Sequence, residues 1–204
     1  MSASTTTFSP RRRFVTAALS LSGLLLPTAR AAAPRPVLLG IDGEFGLDNS
    51  TSAQAVELGM RAAIAEINAA GGVLRGRPLE IVTKDHRSIP ARGIRNIQEF
   101  AAMPDLVAVF GGRFSPVIIE ELPTLRDTRL LFMAPWSSAD VIVDNDMRPN
   151  YVYRLSLRDS LAMPKLLQTA HRRGLDRIGL LLTNTSWGRS NAQAAARAAE
   201  KLPA

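Results

Sequence analysis

Short apolar, β-branched runs alternate with helical apolar patterns along most of this chain, and that alternation limits the fold more than any other feature. Val37–Ile41 predicts a first strand, and Ser52–Ala70 a helix with Val56, Met60, Ala63, Ile64 and Ile67 on one face, ended by Gly71-Gly72. Leu79–Lys84 predicts a second strand, and Ala91–Ala102 a helix with Ile94, Ile97 and Ala101 on one side and Pro104 beyond it. Leu106–Phe110 and Leu130–Ala134 predict two further strands flanking a helix that starts near Ser115, and Val152–Leu155 a short fifth. The pattern then restarts with a helix over Ser160–Arg173 (Pro164 is a candidate for its true first turn), a strand over Ile178–Leu182 and an Ala-rich helix over Trp187–Lys201. Alternating β and α units predict an α/β fold, a doubly wound parallel sheet with helices on both faces. Such sheets bind ligands beyond the carboxyl ends of their strands. Those ends are Asp42–Asn49, Asp85–Ser88, Gly111–Ser115, Pro135–Ala139 and Thr183–Gly188.

One of these corners carries a chemical signature. Gly111-Gly112-Arg113-Phe114-Ser115-Pro116 joins an apolar run to a helical stretch. Ser115 reads as the N-cap and Pro116 as the first helical residue. A hydroxyl and several free backbone N–H groups then share the positive end of a helix, which suits a small carboxylate.

Residues 1–33 have the layout of an export signal: Arg11-Arg12-Arg13, an apolar run from Val15 to Leu26, Pro27, and small residues offering an A-x-A cleavage site at Ala29-Arg30-Ala31 or Ala31-Ala32-Ala33. The run is too short to cross a bilayer core of ~30 Å as a helix. Arg11-Arg12 with Phe14 resembles a twin-arginine signal. Pro10 stands where Ser or Thr is usual and no Lys closes the motif; a Sec signal has the same layout. Either route predicts a periplasmic protein. The formal charge of +7 falls largely on this segment, which holds four of the 25 basic residues and none of the 18 acids. The remaining 21 basic and 18 acidic residues leave a net of +3, too weak a field for a nucleic-acid footprint.

Catalytic chemistry finds little support. Without cysteine there is no thiol nucleophile, thiolate metal site or disulfide. His86 and His171 lack metal-ligand spacing, and Asp85-His86 has no nucleophile elbow to serve. Nor is there a dinucleotide fingerprint or a Walker A loop. Asp42 and Glu44 follow the first strand as a pair of acids, but loop acids are expected to be solvated. The reading is of a non-enzyme that needs no cofactor and no metal.

A family resemblance covers essentially the whole of the chain after residue 33. Glu57–Asp85, with Gly59, Asn68, Gly71, Gly72, Gly76 and Asp85 in step, resembles the signature of periplasmic solute-binding proteins of the leucine/isoleucine/valine-binding type from ABC importers. The likeness continues through Val109-Phe110-Gly111, Leu131–Pro135, Tyr153-Arg154 and Arg177–Gly188. It implies two α/β lobes closing on a ligand in the cleft between them. Residues 36–155 are then the first lobe of a type I periplasmic binding fold and residues 156–204 the beginning of a second, with the rest of that lobe lying outside this sequence. The implied ligand is an amino acid or small organic acid, and the implied partner an inner-membrane ABC permease, with no nucleic acid. Two alternatives are a ligand-sensing receptor on the same fold and a truncated product without binding activity.

The resemblance also assigns site residues. Ser115 matches a Ser that binds the ligand carboxylate; without the family it is a plain helix cap. Ser138 matches a hydroxyl position after the fourth strand. Trp136 stands where a small residue is usual, and offers a flat apolar wall or packs within the lobe. Trp187 matches an aromatic that packs on the ligand from the second lobe, or else it packs on its own neighbours. Arg113 replaces a small or apolar residue and either pairs with a second carboxylate or points into solvent. These departures move the expectation away from branched-chain amino acids, toward a small acid with a planar or aromatic part stacked on Trp136.

Overall fold

The computed structural model describes residues 34–201. The export segment and the last three residues lie outside the described residues. Five strands, β1 (Val37–Gly43), β2 (Leu79–Asp85), β3 (Leu106–Gly111), β4 (Phe132–Ala134) and β5 (Val152–Arg154), form one sheet in the order β2-β1-β3-β4-β5. All four pairings are parallel. Helices α1 (Ser52–Ala69), α2 (Pro90–Ala101) and α3 (Ser115–Thr128) make the crossovers, and α4 (Asp159–Arg172) and α5 (Ser186–Ala199) follow β5.

The chain first steps from β1 outward to β2, then returns past β1 to β3 and continues the other way. With right-handed crossovers, that reversal puts α1 on one face and α2 and α3 together on the other. The contacts agree: α1 packs on β1 and β2, whereas α2 and α3 pack against each other. The reversal also makes the carboxyl ends of β1 and β3 the topological switch point, where adjacent connections diverge and leave a crevice.

The main core lies between the sheet and the α2–α3 layer. Ile97, Phe100, Val109, Ile118, Leu125 and Phe132 are buried there. A smaller core of Met163, Leu167, Ala194, Ala195 and Ala198 joins α4 to α5. Proline starts α2 and α3 where sequence rules place it: Pro90 and Pro116 lie in the first turns, each close behind an extended residue, Ile89 and Phe114.

Several expectations are corrected. Ile178–Leu182 forms no strand, because among the described residues no neighbouring strand offers it a ladder; Leu181 is fully exposed. The helix expected from Ser160 starts at Asp159, so Pro164 lies inside it instead of marking its first turn. The apolar stripe of α1 is only partly covered, with Ser52 and Ala53 its only buried residues. Asp42 and Glu44, expected in solvent, are both fully buried.

Candidate functional site

Beyond the carboxyl ends of β3 and β4 lies a cavity of about 390 Å³. Its lining comes from the β3–α3 turn (Arg113, Phe114, Ser115, Pro116), the loop after β4 (Trp136, Ser138) and the segment leading into α5 (Thr183, Thr185, Trp187). Arg113, Ser115, Trp136, Ser138 and Trp187, the five residues singled out from the sequence, therefore face one concavity. A crevice of similar volume along α1 and β2, lined by Arg61, Leu79 and Glu80 among others, lies away from the strand ends. The strand-end cavity is the better candidate, since it combines aromatic walls with converging hydroxyls.

The local architecture differs from the N-cap reading. Phe114 precedes the helix without a side-chain cap, and Ser115 is the first helical residue. Ser115 is buried, and its Oγ accepts the Ala139 N–H at 3.4 Å, a long bond that leaves the hydroxyl proton free to donate. Val117 and Ile118 N–H both donate to the Phe114 carbonyl, and Pro116 has no N–H. Among the described residues, the N–H groups of Phe114 and Ser115 have no acceptor. The helix end thus offers fewer free donors than expected, but two remain.

The cavity floor is braced by residues the sequence reading passed over. Ser137 Oγ donates to the Gly112 carbonyl at 2.9 Å, and Ser156 Oγ donates to the Ser137 carbonyl at 2.7 Å. The first bond ties the loop after β4 to the β3 turn, and the second ties the segment after β5 to that same loop. On the far wall, Trp187 Nε1 donates to Ser138 Oγ at 3.0 Å. Trp136 remains 51% exposed and Trp187 36%, so both indoles keep open surface. Thr185 caps α5 by accepting the Gly188 N–H at 3.3 Å. A Cβ at Gly188 would meet the Thr183 carbonyl oxygen at 1.8 Å, so only glycine lets this loop fold over the helix start.

Behind the cavity sits a buried polar cluster. Glu44 Oε1 accepts bonds from Ser50 Oγ at 3.3 Å and from Ser52 Oγ. His86 Nδ1 accepts the Ser88 N–H at 2.9 Å, which puts the ring proton on Nε2, 3.8 Å from Glu44 Oε2. Burial holds the His86 pKa below the usual histidine range, against the opposing pull of Glu44 and Asp85. Arg113 Nε lies 3.9 Å from Glu44 Oε1, and its guanidinium sits over the Phe114 ring at 4.6 Å. Gly112 makes room for this cluster: a Cβ there would meet Glu44 Oε2 at 2.2 Å.

A parallel five-stranded α/β unit with hydroxyls and indoles around a strand-end cavity has a known counterpart. The family model of periplasmic binding proteins matches residues 37–203.

The chain belongs to the periplasmic binding protein family.

Solved structures with the same fold include an ABC transporter substrate-binding protein from Desulfitobacterium hafniense in complex with Leu, at 25% identity and TM-score 0.70, covering 81% of this chain and 48% of that one. A solute-binding protein from R. palustris in complex with 4-hydroxybenzoate aligns at 19% identity and TM-score 0.71, covering 81% of this chain and 44% of its own. A possible leucine/isoleucine/valine-binding protein from Rhodopirellula baltica aligns at 16% identity and TM-score 0.73, covering 84% and 46%. This periplasmic binding protein chain thus spans a little under half the length of its solved relatives. No curated protein matches it.

Proposed function

We propose that the chain is an extracytoplasmic solute-binding component of an ABC-type importer, which takes an amino acid or related small organic acid in the strand-end cavity and presents it to an inner-membrane permease. The carrying observation is the convergence of Ser115, Ser138, Trp136 and Trp187 on one concavity at a helix N-terminus. A carboxylate there would accept the free N–H groups of Phe114 and Ser115 and the Ser115 hydroxyl, in the favourable field of α3. The two indoles would cover a planar part of the ligand, a geometry that favours flat acids over branched aliphatic ones. The relatives solved with Leu and with 4-hydroxybenzoate support the general class, a small acid. The layout of residues 1–33 supports an extracytoplasmic location.

The test is direct, because Trp136 and Trp187 are the only two tryptophans of the chain and intrinsic fluorescence reports this cavity alone. Titration with a panel of amino acids and aromatic acids should give a saturable change with at least one aromatic acid. Ser115→Ala should weaken that binding about ten-fold, the worth of a hydrogen bond to a charged group. A response to leucine only would end the planar-ligand reading, and no response to any acid would end the binding reading.

A further inference from the structure

Arg113 is the one cationic side chain lining the cavity. Among the described residues its one anionic neighbour is Glu44, and the pair is not hydrogen-bonded: Nε stands 3.9 Å from Oε1, an oxygen already engaged by Ser50 and Ser52. The Glu44 carboxylate is wholly buried while the Arg113 side chain is 39% exposed, so charge attraction pins the guanidinium from behind without consuming its donors. The Phe114 ring supports one face of the same group. None of the N–H groups of the fork finds an acceptor among the described residues, although the plane is fixed on two sides. A guanidinium held this way matches a planar two-oxygen acceptor.

Resting on the binding function proposed above, we infer that this cavity selects a planar dicarboxylate, with Arg113 taking the second carboxylate and Glu44 acting as the positioning residue that aims it. The first carboxylate lies at the α3 N-terminus. A monoacid leaves the fork of Arg113 unpaired once the cavity is filled, and a site built to hydrogen-bond a group discriminates against ligands that lack it. Lysine at position 113 keeps the charge but loses the fork.

The experiment titrates the tryptophan fluorescence of the full chain with benzoate and with the three benzene dicarboxylates. At least one dicarboxylate should bind ten-fold or more tightly than benzoate, about the contribution of a charge-assisted pair. Arg113→Leu should erase that ratio, the dicarboxylates losing more affinity than benzoate; Arg113→Lys should recover only part of it. Glu44→Gln should shrink the ratio, whereas a merely structural role for Glu44 would weaken all four ligands alike. If benzoate binds and no dicarboxylate binds better, or if Arg113→Leu keeps the ratio, the inference falls and the binding function stands. If none of the four binds but another acid of the wider panel does, the dicarboxylate inference again falls alone; if no acid binds, both fall.

Discussion

Asp42 and Glu121 stand where charge is costly. Asp42 ends the β1 core run and Glu121 projects from α3, and both are buried. Asp42 Oδ1 accepts the Asn96 amide at 2.7 Å; its other oxygen and both Glu121 oxygens have no hydrogen-bond donor, and a proton held between the two carboxyls would pair one oxygen of each. Burial raises the Asp42 pKa from 3.8 to about 7, with Asp85 adding to the rise and Asn96, Glu121 and Lys84 opposing it. Glu121 is raised well above the carboxylate range by burial first and then by Asp42. The folded state therefore holds protons that the unfolded chain releases. This contribution to stability is complete below pH ~4 and is lost as pH rises through about 7. Stability measured by urea unfolding should fall between pH 5.5 and pH 8, by about 2 kcal/mol from Asp42, with Glu121 acting in the same direction. Glu121→Gln, which donates to Asp42 without adding charge, should flatten that decline, and an unchanged slope in the variant would refute the shared proton. The same scale marks what the sequence could convey about the site. Ser115 drew attention as a strand-end residue, where an α/β sheet opens to ligands, and the resemblance added Arg113, Trp136, Ser138 and Trp187; the structure lines one cavity with all five. Glu44 and His86 were not legible, since the burial of a loop acid depends on Ser50 and Ser52 folding back onto it and on the missing Cβ of Gly112.

At the level of elements, the α2–α3 layer is the mechanical base of the cavity, because α3 carries Ser115 at its first turn. Phe100 of α2 is wholly buried, and a Cβ on Gly40 of β1 would meet its ring at 2.9 Å. Phe100→Ala should cost about 3–5 kcal/mol in urea unfolding. Leu166→Ala, on the exposed side of α4, should stay within about 0.5 kcal/mol. A Phe100→Ala penalty no larger than the surface control would mean that this layer is not the core. The helices and the first five strands followed from periodicity, and the runs of β1, β3 and β4 and the stripes of α2 and α3 found the core they needed, whereas the stripe of α1 is only partly covered. Ile178–Leu182 did not follow, for a physical reason: strand propensity describes a side-chain preference, whereas a strand exists only as a ladder with a neighbour. Apolar and β-branched, this run has no regular secondary structure, and none of its backbone N–H groups has a partner among the described residues. Its amides should exchange with deuterium orders of magnitude faster than those of β3. Slow exchange there, comparable to Leu106–Gly111, would show a pairing that the described fold lacks.

On the scale of the whole molecule, polarity is distributed unevenly. The β1–β4 region packs its buried apolar side chains into one continuous core and leaves others, Leu58 and Leu74 among them, exposed at scattered places, whereas the much shorter stretch 155–181 leaves Leu155, Leu157, Leu161, Leu166, Leu175, Leu180 and Leu181 exposed. Scattered exposed leucines are ordinary on a protein surface, but seven within one stretch are a different matter. The net charge of +3 outside residues 1–33 supplies little repulsion to keep copies apart. The chain alone should therefore associate with itself as concentration rises, through this stretch and not through the cavity. Replacing Leu157, Leu161 and Leu181 together by Glu should remove the concentration-dependent light scattering. The urea midpoint should move by no more than about 0.5 kcal/mol per site, since none of the three contributes to a buried core. Fluorescence titrations of Trp136 and Trp187 should be unaltered, because neither indole belongs to that stretch. If the triple variant scatters as the parent does, association must arise elsewhere, and the partly covered stripe of α1 becomes the surface to alter next.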